Sequence, residues 1–391
     1  MHTVKDKLVN TYPWMKPPFI VSAPMRAITG PELAVSVFRA GGLGFIGPGP
    51  DASSTATNLS TAHALLFPHD APDPIPCRNP AFAMHETGPL PLGVGFQLWN
   101  GSLGTAAAAV ECHRPRAAWL FAPRHGQPEV DAWAAALRAA SPSTQIWLQI
   151  GTLAEALAAV ASPHPPDVLV VQGAEAGGHG RAADGAGFVT LLPEIADAVR
   201  GSGIPLFAAG GVVDGRGVVA ALGVGAAGVA MGTRFLAARE ARIARGYQDE
   251  VVRARDGGRN TVRTHLWNHL RGTFGWPAEW SPRGVVNRSW VEEREGVGFD
   301  ALKERHDEVV REGDKAWGPE GRTATYAGAG VGLVKEVKGA GEIMDEVRKD
   351  AFCILRDLMD SCPDPESLDN FPEREMYHCG GHSSSRETWP S

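Results

Sequence analysis

Residues 167–181 read DVLVVQGAEAGGHGR. Val168 to Val171 form an apolar, largely β-branched run with the length of a strand buried on both faces. It passes directly into Gln172, Gly173, Glu175, Gly177, Gly178 and His179, a polar and glycine-rich loop. A parallel strand that ends this way delivers its loop to the carboxyl end of the sheet, where the catalytic groups of α/β proteins collect. His179 is the central candidate for the chemistry. Glu175 is a second, with a helix-capping or solvent-facing carboxylate as its alternative reading.

Upstream, FIVSAPM (19–25) is an apolar run stopped by Pro24, so Ala23, Pro24 and Met25 form the exposed end of a first strand. Gly30 and Pro31 open a helix, Glu32 sits in its first turn, and Gly41 and Gly42 stop it. LGFIG (43–47) follows as a second strand, completing a strand, helix, strand unit. Residues 48–91 break the rhythm with Pro, Ser, Thr and Ala; they read as an excursion over the sheet's mouth or a surface insertion, with one short helix near Thr61 to Phe67.

Further strands are expected at Leu92–Leu98, Ala117–Phe121, Gln145–Ile150, Asp167–Val171, Pro205–Ala209 and Gly228–Met231. Eight strands in about 215 residues, against roughly 250 for the type, argue for an α/β fold of the (β/α)8 TIM barrel class over a doubly wound sheet. Polar or small residues follow nearly every strand: Gly47, Gln97, Gln149, Gly178-His179, Gly210-Gly211 and Gly232-Thr233. Only a closed ring brings those ends around one pocket. The seventh strand ends in AAGGV and the eighth in AMGTR. Loops at these positions commonly bind phosphate through backbone N–H groups, which makes Gly210, Gly211, Gly232 and Thr233 the expected phosphate cradle.

The 391 residues are 43% hydrophobic and 21% charged with a net charge of −7, a composition suited to a soluble enzyme and offering no general attraction to nucleic acid or anionic membranes. No run approaches the roughly 20 apolar residues of a membrane span, and the start has no hydrophobic signal core, so a cytoplasmic protein is expected. Cys77, Cys112, Cys353, Cys362 and Cys379 are scattered, with no CxxC pair, and read as reduced thiols. His378, Cys379 and His382 lie in polar, Ser-rich surroundings and are not read as a metal site. Trp119, Trp133 and Trp147 read as core aromatics, Trp99 as a pocket residue, and Tyr326 as a substrate contact or a packing residue.

SAPM, GFQLW, QGAEAGGHGR, IPLFAAGGV, VAMGTRFLA and the late AGAGVGLVKEV together resemble the nitronate monooxygenase family, flavin-dependent TIM-barrel enzymes formerly called 2-nitropropane dioxygenases. The resemblance spans most of residues 15–350 and implies FMN as cofactor. It implies contacts to the flavin ring from Ala23, Pro24, Met25, Gln97 and Gln149, a phosphate on Gly178, Gly210, Gly211, Gly232 and Thr233, and Met231 as a further cofactor-binding residue. His179 would be the active-site base. The implied reaction is oxidation of an alkyl nitronate, such as propionate 3-nitronate, by dioxygen to a carbonyl compound and nitrite. Alternatives are an NAD(P)H-dependent flavin reductase of the same superfamily, acting on enoyl thioesters or quinones, and a non-catalytic flavin-binding protein. The inosine monophosphate dehydrogenase relatives require a catalytic Cys in an active-site loop, and no Cys lies between 113 and 352. Residues 1–239 are expected to form the barrel, 240–360 a smaller helical region capping it, and 361–391 a mobile tail. Within that cap, 240–256, 299–313 and 340–360 have helical period, whereas the intervening 269–290 is loop-like and 257–298 carries no readable motif.

Overall fold

The computed structural model describes residues 4–49, 53–68 and 85–361. Cys77, Cys362, Cys379, the cluster His378, Cys379 and His382, the tail beyond 361 and part of the 48–91 excursion lie outside the described residues. The strands in chain order are β1 (Phe19–Ser22), β2 (Leu43–Ile46), β3 (Leu90–Gln97), β4 (Pro115–Phe121), β5 (Gln145–Ile150), β6 (Val168–Gln172), β7 (Gly178–Arg181), β8 (Leu206–Ala209), β9 (Gly228–Met231), β10 (Thr261–Arg263) and β11 (Trp280–Val285). All but β7, β10 and β11 form a closed parallel barrel, sealed where β1 pairs with β9 from Phe19 opposite Gly228 to Ser22 opposite Met231. The fold is thus the TIM barrel expected. The helix in the excursion starts earlier than its pattern indicated and runs Ser54–Leu66.

Large rings fill the barrel interior. Phe45 meets Trp119 and Trp147 edge-on at 5.1 and 5.2 Å, and Trp147 lies 4.7 Å from Phe207. Glycines face these rings because nothing larger fits: a Cβ on Gly93 would collide with Phe45, and one on Gly228 with Phe207. This plug forms a floor, so a ligand has room only above it, at the carboxyl ends of the strands.

Two features depart from the sequence reading. The stretch carrying His179 is not a free loop. Gly178–Arg181 is strand β7 of an antiparallel sheet ordered β10-β11-β7, with His179 opposite Pro282 and Gly180 opposite Ser281. Residues 269–290, expected to be loop-like, supply β11 and the start of the helix Arg288–Arg294, and β10 lies just before them. The second departure concerns the last helix, Ala340–Ser361. It packs on the barrel helices Gly215–Gly223 and Pro31–Arg39 rather than in the cap. Ile343, Met344, Val347 and Ala351 enter the main core, Asp350 Oδ2 accepts from Gly215 N at 2.9 Å, and Arg348 donates to the Ala40 and Gly41 carbonyls. Only Thr233–Leu236 is helical directly after β9, so the C-terminal helix fills the eighth place of the outer ring. Among the described residues no helix is long and apolar enough to cross a membrane.

Candidate active site

A cavity of about 530 Å³ opens above the aromatic floor, within the size range of cofactor and substrate pockets (about 300–1,000 Å³). Ala23, Pro24, Met25, Gln97, Gln149, Gly178, His179, Gly210, Gly211, Gly232 and Thr233 all line it. Met231 does not: it is buried in the core while its neighbours Ala230 and Gly232 face the cavity. Strand alternation explains this, since adjacent residues point to opposite faces. Trp99 lines the cavity as expected, but so do Trp119 and Trp276, while Trp133 and Trp147 belong to the core.

The floor holds its polar groups in place. Trp119 Nε1 donates to Gln149 Oε1 at 3.0 Å, which fixes a buried amide at the base of the cavity. Gln172 Nε2 donates to the His179 carbonyl at 3.1 Å, while its buried Oε1 has no hydrogen-bond partner.

Glycines open the opposite side. Gly178, Gly210 and Gly211 have φ of +65°, +95° and +72°, which L side chains rarely adopt. A Cβ on Gly178 would meet nothing within 4 Å, and one on Gly232 would stand 3.7 Å from Ala23 Cβ and Met25 Sδ, so both Cα atoms border open space. The late AGAGVG stretch packs against this side: Gly328 N donates to Thr233 Oγ1 at 3.0 Å, and Gly330 reaches the cavity. Glu175 does not line the cavity. It accepts from Phe188 N at 3.2 Å through both carboxylate oxygens and so caps the helix Phe188–Ala198.

His179 is held between barrel and cap. The ring of Trp276 stacks on it with centroids 3.5 Å apart and planes 9° from parallel. Asn268 Nδ2 lies 2.9 Å from His179 Nε2, and Tyr326 Oη donates to Asn268 Oδ1 at 2.9 Å. Burial, followed by the charges of His265, Arg263, Arg271 and Arg26, holds the imidazole well below its ordinary pKa of 6.5. The ring is neutral at neutral pH. Arg263 ties the approach to it, donating to the carbonyls of Ala174, Ala176 and Gly178 and to that of Ser281.

Charge in the cavity has one sign. Arg26, Arg242 and Arg271 line it, and no carboxylate does among the described residues. Arg242 is engaged by Glu32 at 3.0 Å, and the charge of Arg271 bears on Arg26. Sequence reasoning missed Arg26, Arg271, Asn268 and Trp276; none belongs to a spacing pattern, and only the fold brings them to His179.

A family profile described as nitronate monooxygenase matches residues 132–273. A nitronate monooxygenase of Metarhizium robertsii is 57% identical over 91% of this chain and 97% of its own length. One from Neurospora crassa is 33% identical over 88% of this chain and 92% of its own. Among solved structures, FabK of Thermotoga maritima superposes with a TM-score of 0.67 at 21% identity, covering 93% of this chain and all of that one. A nitroalkane oxidase of Streptomyces ansochromogenes gives 0.64 at 21% identity, over 90% and 99% of the two chains. At such identities these two show a shared fold.

Proposed function

The chain belongs to the nitronate monooxygenase family, and from that premise we propose that its cavity binds FMN and an alkyl nitronate, and that the protein oxidises the nitronate with dioxygen to a carbonyl compound and nitrite. The observation that carries this reading is the charge of the cavity. Its lining holds arginines and a neutral imidazole but no carboxylate among the described residues, which suits two anions, a phosphate and a nitronate.

The residues fit the cofactor. The glycine side of the cavity leaves backbone space at Gly178 and Gly232 that a Cβ would fill, and Gly210, Gly211 and Thr233 sit beside it, the arrangement that backbone N–H groups need to meet a phosphate. Ala23, Pro24, Met25, Gln97 and Gln149 stand around the space left for the isoalloxazine ring. Bound flavin supplies the electron transfer between nitronate and dioxygen; the protein supplies orientation and charge.

The side chains divide the remaining work. Arg26 and Arg271 attract an anionic substrate to the mouth and hold a second carboxylate, as in propionate 3-nitronate. His179 hydrogen-bonds the nitro end, and as a neutral ring it carries one N–H and one lone pair. Trp276 covers the ring and keeps water from its face.

The test is to mix the purified protein with propionate 3-nitronate under anaerobic conditions while following its visible absorbance, and then admit oxygen. A bound-flavin spectrum that changes with nitronate and recovers with oxygen, with release of nitrite, is the expected result. A flavin that stays oxidised with nitronate but is reduced by NADH or NADPH overturns it in favour of a reductase. A protein that takes up no flavin refutes the cofactor assignment.

A further inference from the structure

Asn268 lies on the short helix Leu266–Leu270 of the cap and is only 3% exposed. Its side chain bridges two cavity residues, with Oδ1 2.9 Å from Tyr326 Oη and Nδ2 2.9 Å from His179 Nε2. The polarity of this chain is set at Tyr326, whose hydroxyl donates to Asn268 Oδ1 while the Arg271 guanidinium, a donor only, lies over its ring at 5.8 Å. The amide N–H of Asn268 thereby points at the imidazole. His179 lines the cavity, and its Nδ1 makes no hydrogen bond among the described residues.

We propose that Asn268 is a positioning residue that fixes the tautomer of His179: its amide donates to Nε2, so the neutral ring carries its proton on Nδ1 and offers the cavity a hydrogen-bond donor. A donor stabilises the oxygens of a nitronate that arrives already deprotonated. It does not remove the α-proton of a neutral nitroalkane, which needs a lone pair at the same place. The site is thus arranged for preformed nitronates, and a base at Nδ1 requires the Asn268 amide to turn over. This preference rests on the nitronate reading above; the tautomer itself does not. The charged and titratable groups facing the ring are Arg26 from the barrel and Arg263, His265, Arg271 and Tyr326 from the cap, and none of them is a carboxylate that would favour the opposite tautomer.

The tautomer is read directly by NMR of protein labelled with 15N-histidine, with and without added FMN, the His179 signals being assigned by their loss in His179→Gln. The wild type should show protonated Nδ1 and unprotonated Nε2 at neutral pH. In Asn268→Asp the carboxylate accepts from Nε2–H instead, the free lone pair moves to Nδ1, and the ring titrates at higher pH. The ratio of nitroalkane to nitronate turnover should then rise by about tenfold or more, the low end of what a placed base contributes. Tyr326→Phe frees the amide and should shift the tautomer in the same direction by less. A wild-type ring protonated on Nε2 overturns the proposal before Asn268 or Tyr326 is changed at all. So does a folded Asn268→Asp protein whose tautomer and substrate ratio match the wild type. A ring protonated on Nδ1 in a protein inert to nitronates would uphold the tautomer and remove the functional reading, so the two failures are separable.

Discussion

Replacing Arg263 with Met tests how the cap holds the catalytic strand. The guanidinium comes from β10 and takes four carbonyl oxygens: Gly178 at 3.1 Å and Ser281 at 2.5 Å through Nη1, and Ala174 at 3.3 Å and Ala176 at 3.1 Å through Nη2. Three of these lie on the segment between β6 and His179, so one cation sets the path of that segment. Each carbonyl left unpaired costs about 1–3 kcal/mol. The sum overstates the loss, because burial and the neighbouring Arg283 already lower the Arg263 pKa to about 10, with Glu175 opposing, and the substitution relieves that strain. A net loss of about 3 kcal/mol is expected. With an unfolding entropy near 0.8 kcal/mol/K for a chain of this length, the melting midpoint should fall by about 4 °C in differential scanning calorimetry. The same change removes one of the charges depressing His179, so the ring's NMR titration should move up toward the ordinary 6.5. A midpoint within about 1 °C of wild type, with an unmoved titration, would refute the argument.

Arg26→Ala and Arg271→Ala should each raise KM about tenfold for a nitronate carrying a second carboxylate and only about two- to threefold for a simple alkyl nitronate, since a charge-assisted contact is lost in the first case alone; equal effects on both substrates would remove these residues from recognition. Gly211→Ala places a Cβ at φ +72°, 3.4 Å from Glu175 Cβ; strain of about 1–2 kcal/mol beside the phosphate cradle should weaken FMN binding in a fluorescence titration, and unchanged affinity would displace the phosphate from this turn. His179 is neutral in the fold with its pKa depressed, so the unfolded chain binds the proton first as pH falls. Its stabilising contribution is complete above about 6.5 and is lost on acidification toward the depressed value, at up to about 1.4 kcal/mol per pH unit. Urea unfolding of His179→Gln at pH 7.5 and 5.5 should show a smaller difference than wild type, and parallel losses would contradict the sign. Glu292 is held far below the usual carboxylate range by Arg322, Arg305 and Arg288; Glu292→Gln should cost about 2 kcal/mol, below the usual range for a buried partner because two of the arginines are half-exposed, and a calorimetric midpoint equal to wild type would show the cluster to be ornamental.

The barrel was legible because parallel strands buried on both faces leave a strong local trace. Gln145–Ile150 and Gly228–Met231 were read to the residue, and the other strands lay within two residues at most ends. Glycines at the strand ends were legible as well, and Gly178, Gly210, Gly211 and Gly232 all line the cavity. What failed had no local trace. GHGR has neither alternation nor branched side chains, and it becomes β7 only because β11, a hundred residues later, pairs with it. The amphipathic period of 340–360 announced a helix but not its partner, and the surface it covers is the gap left after β9. Asn268 and Trp276 are single residues in an irregular stretch, placed at His179 by the cap's fold alone. Met231 was a different failure: alternation with Ala230 and Gly232 was available in the sequence and excludes it from the cavity.

The two halves of the site have separate origins in the chain, and this has consequences for how its properties vary. Backbone groups suited to a phosphate come from 178, 210–211 and 232–233, at the ends of β8 and β9 and the start of β7. The groups that set the state of His179 come from 263–276 and 326, with Arg26 the single barrel contribution. On the proposed reading, cofactor affinity and substrate preference are built on different segments, which meet in β7, whose edge is paired to the cap, and where Gly328 N donates to Thr233 Oγ1. Substitutions in the cap should alter which carbon acid or anion is accepted while leaving flavin affinity near wild type, and substitutions in the glycine turns should do the reverse. Changes in β7 itself are the exception, because they move both at once.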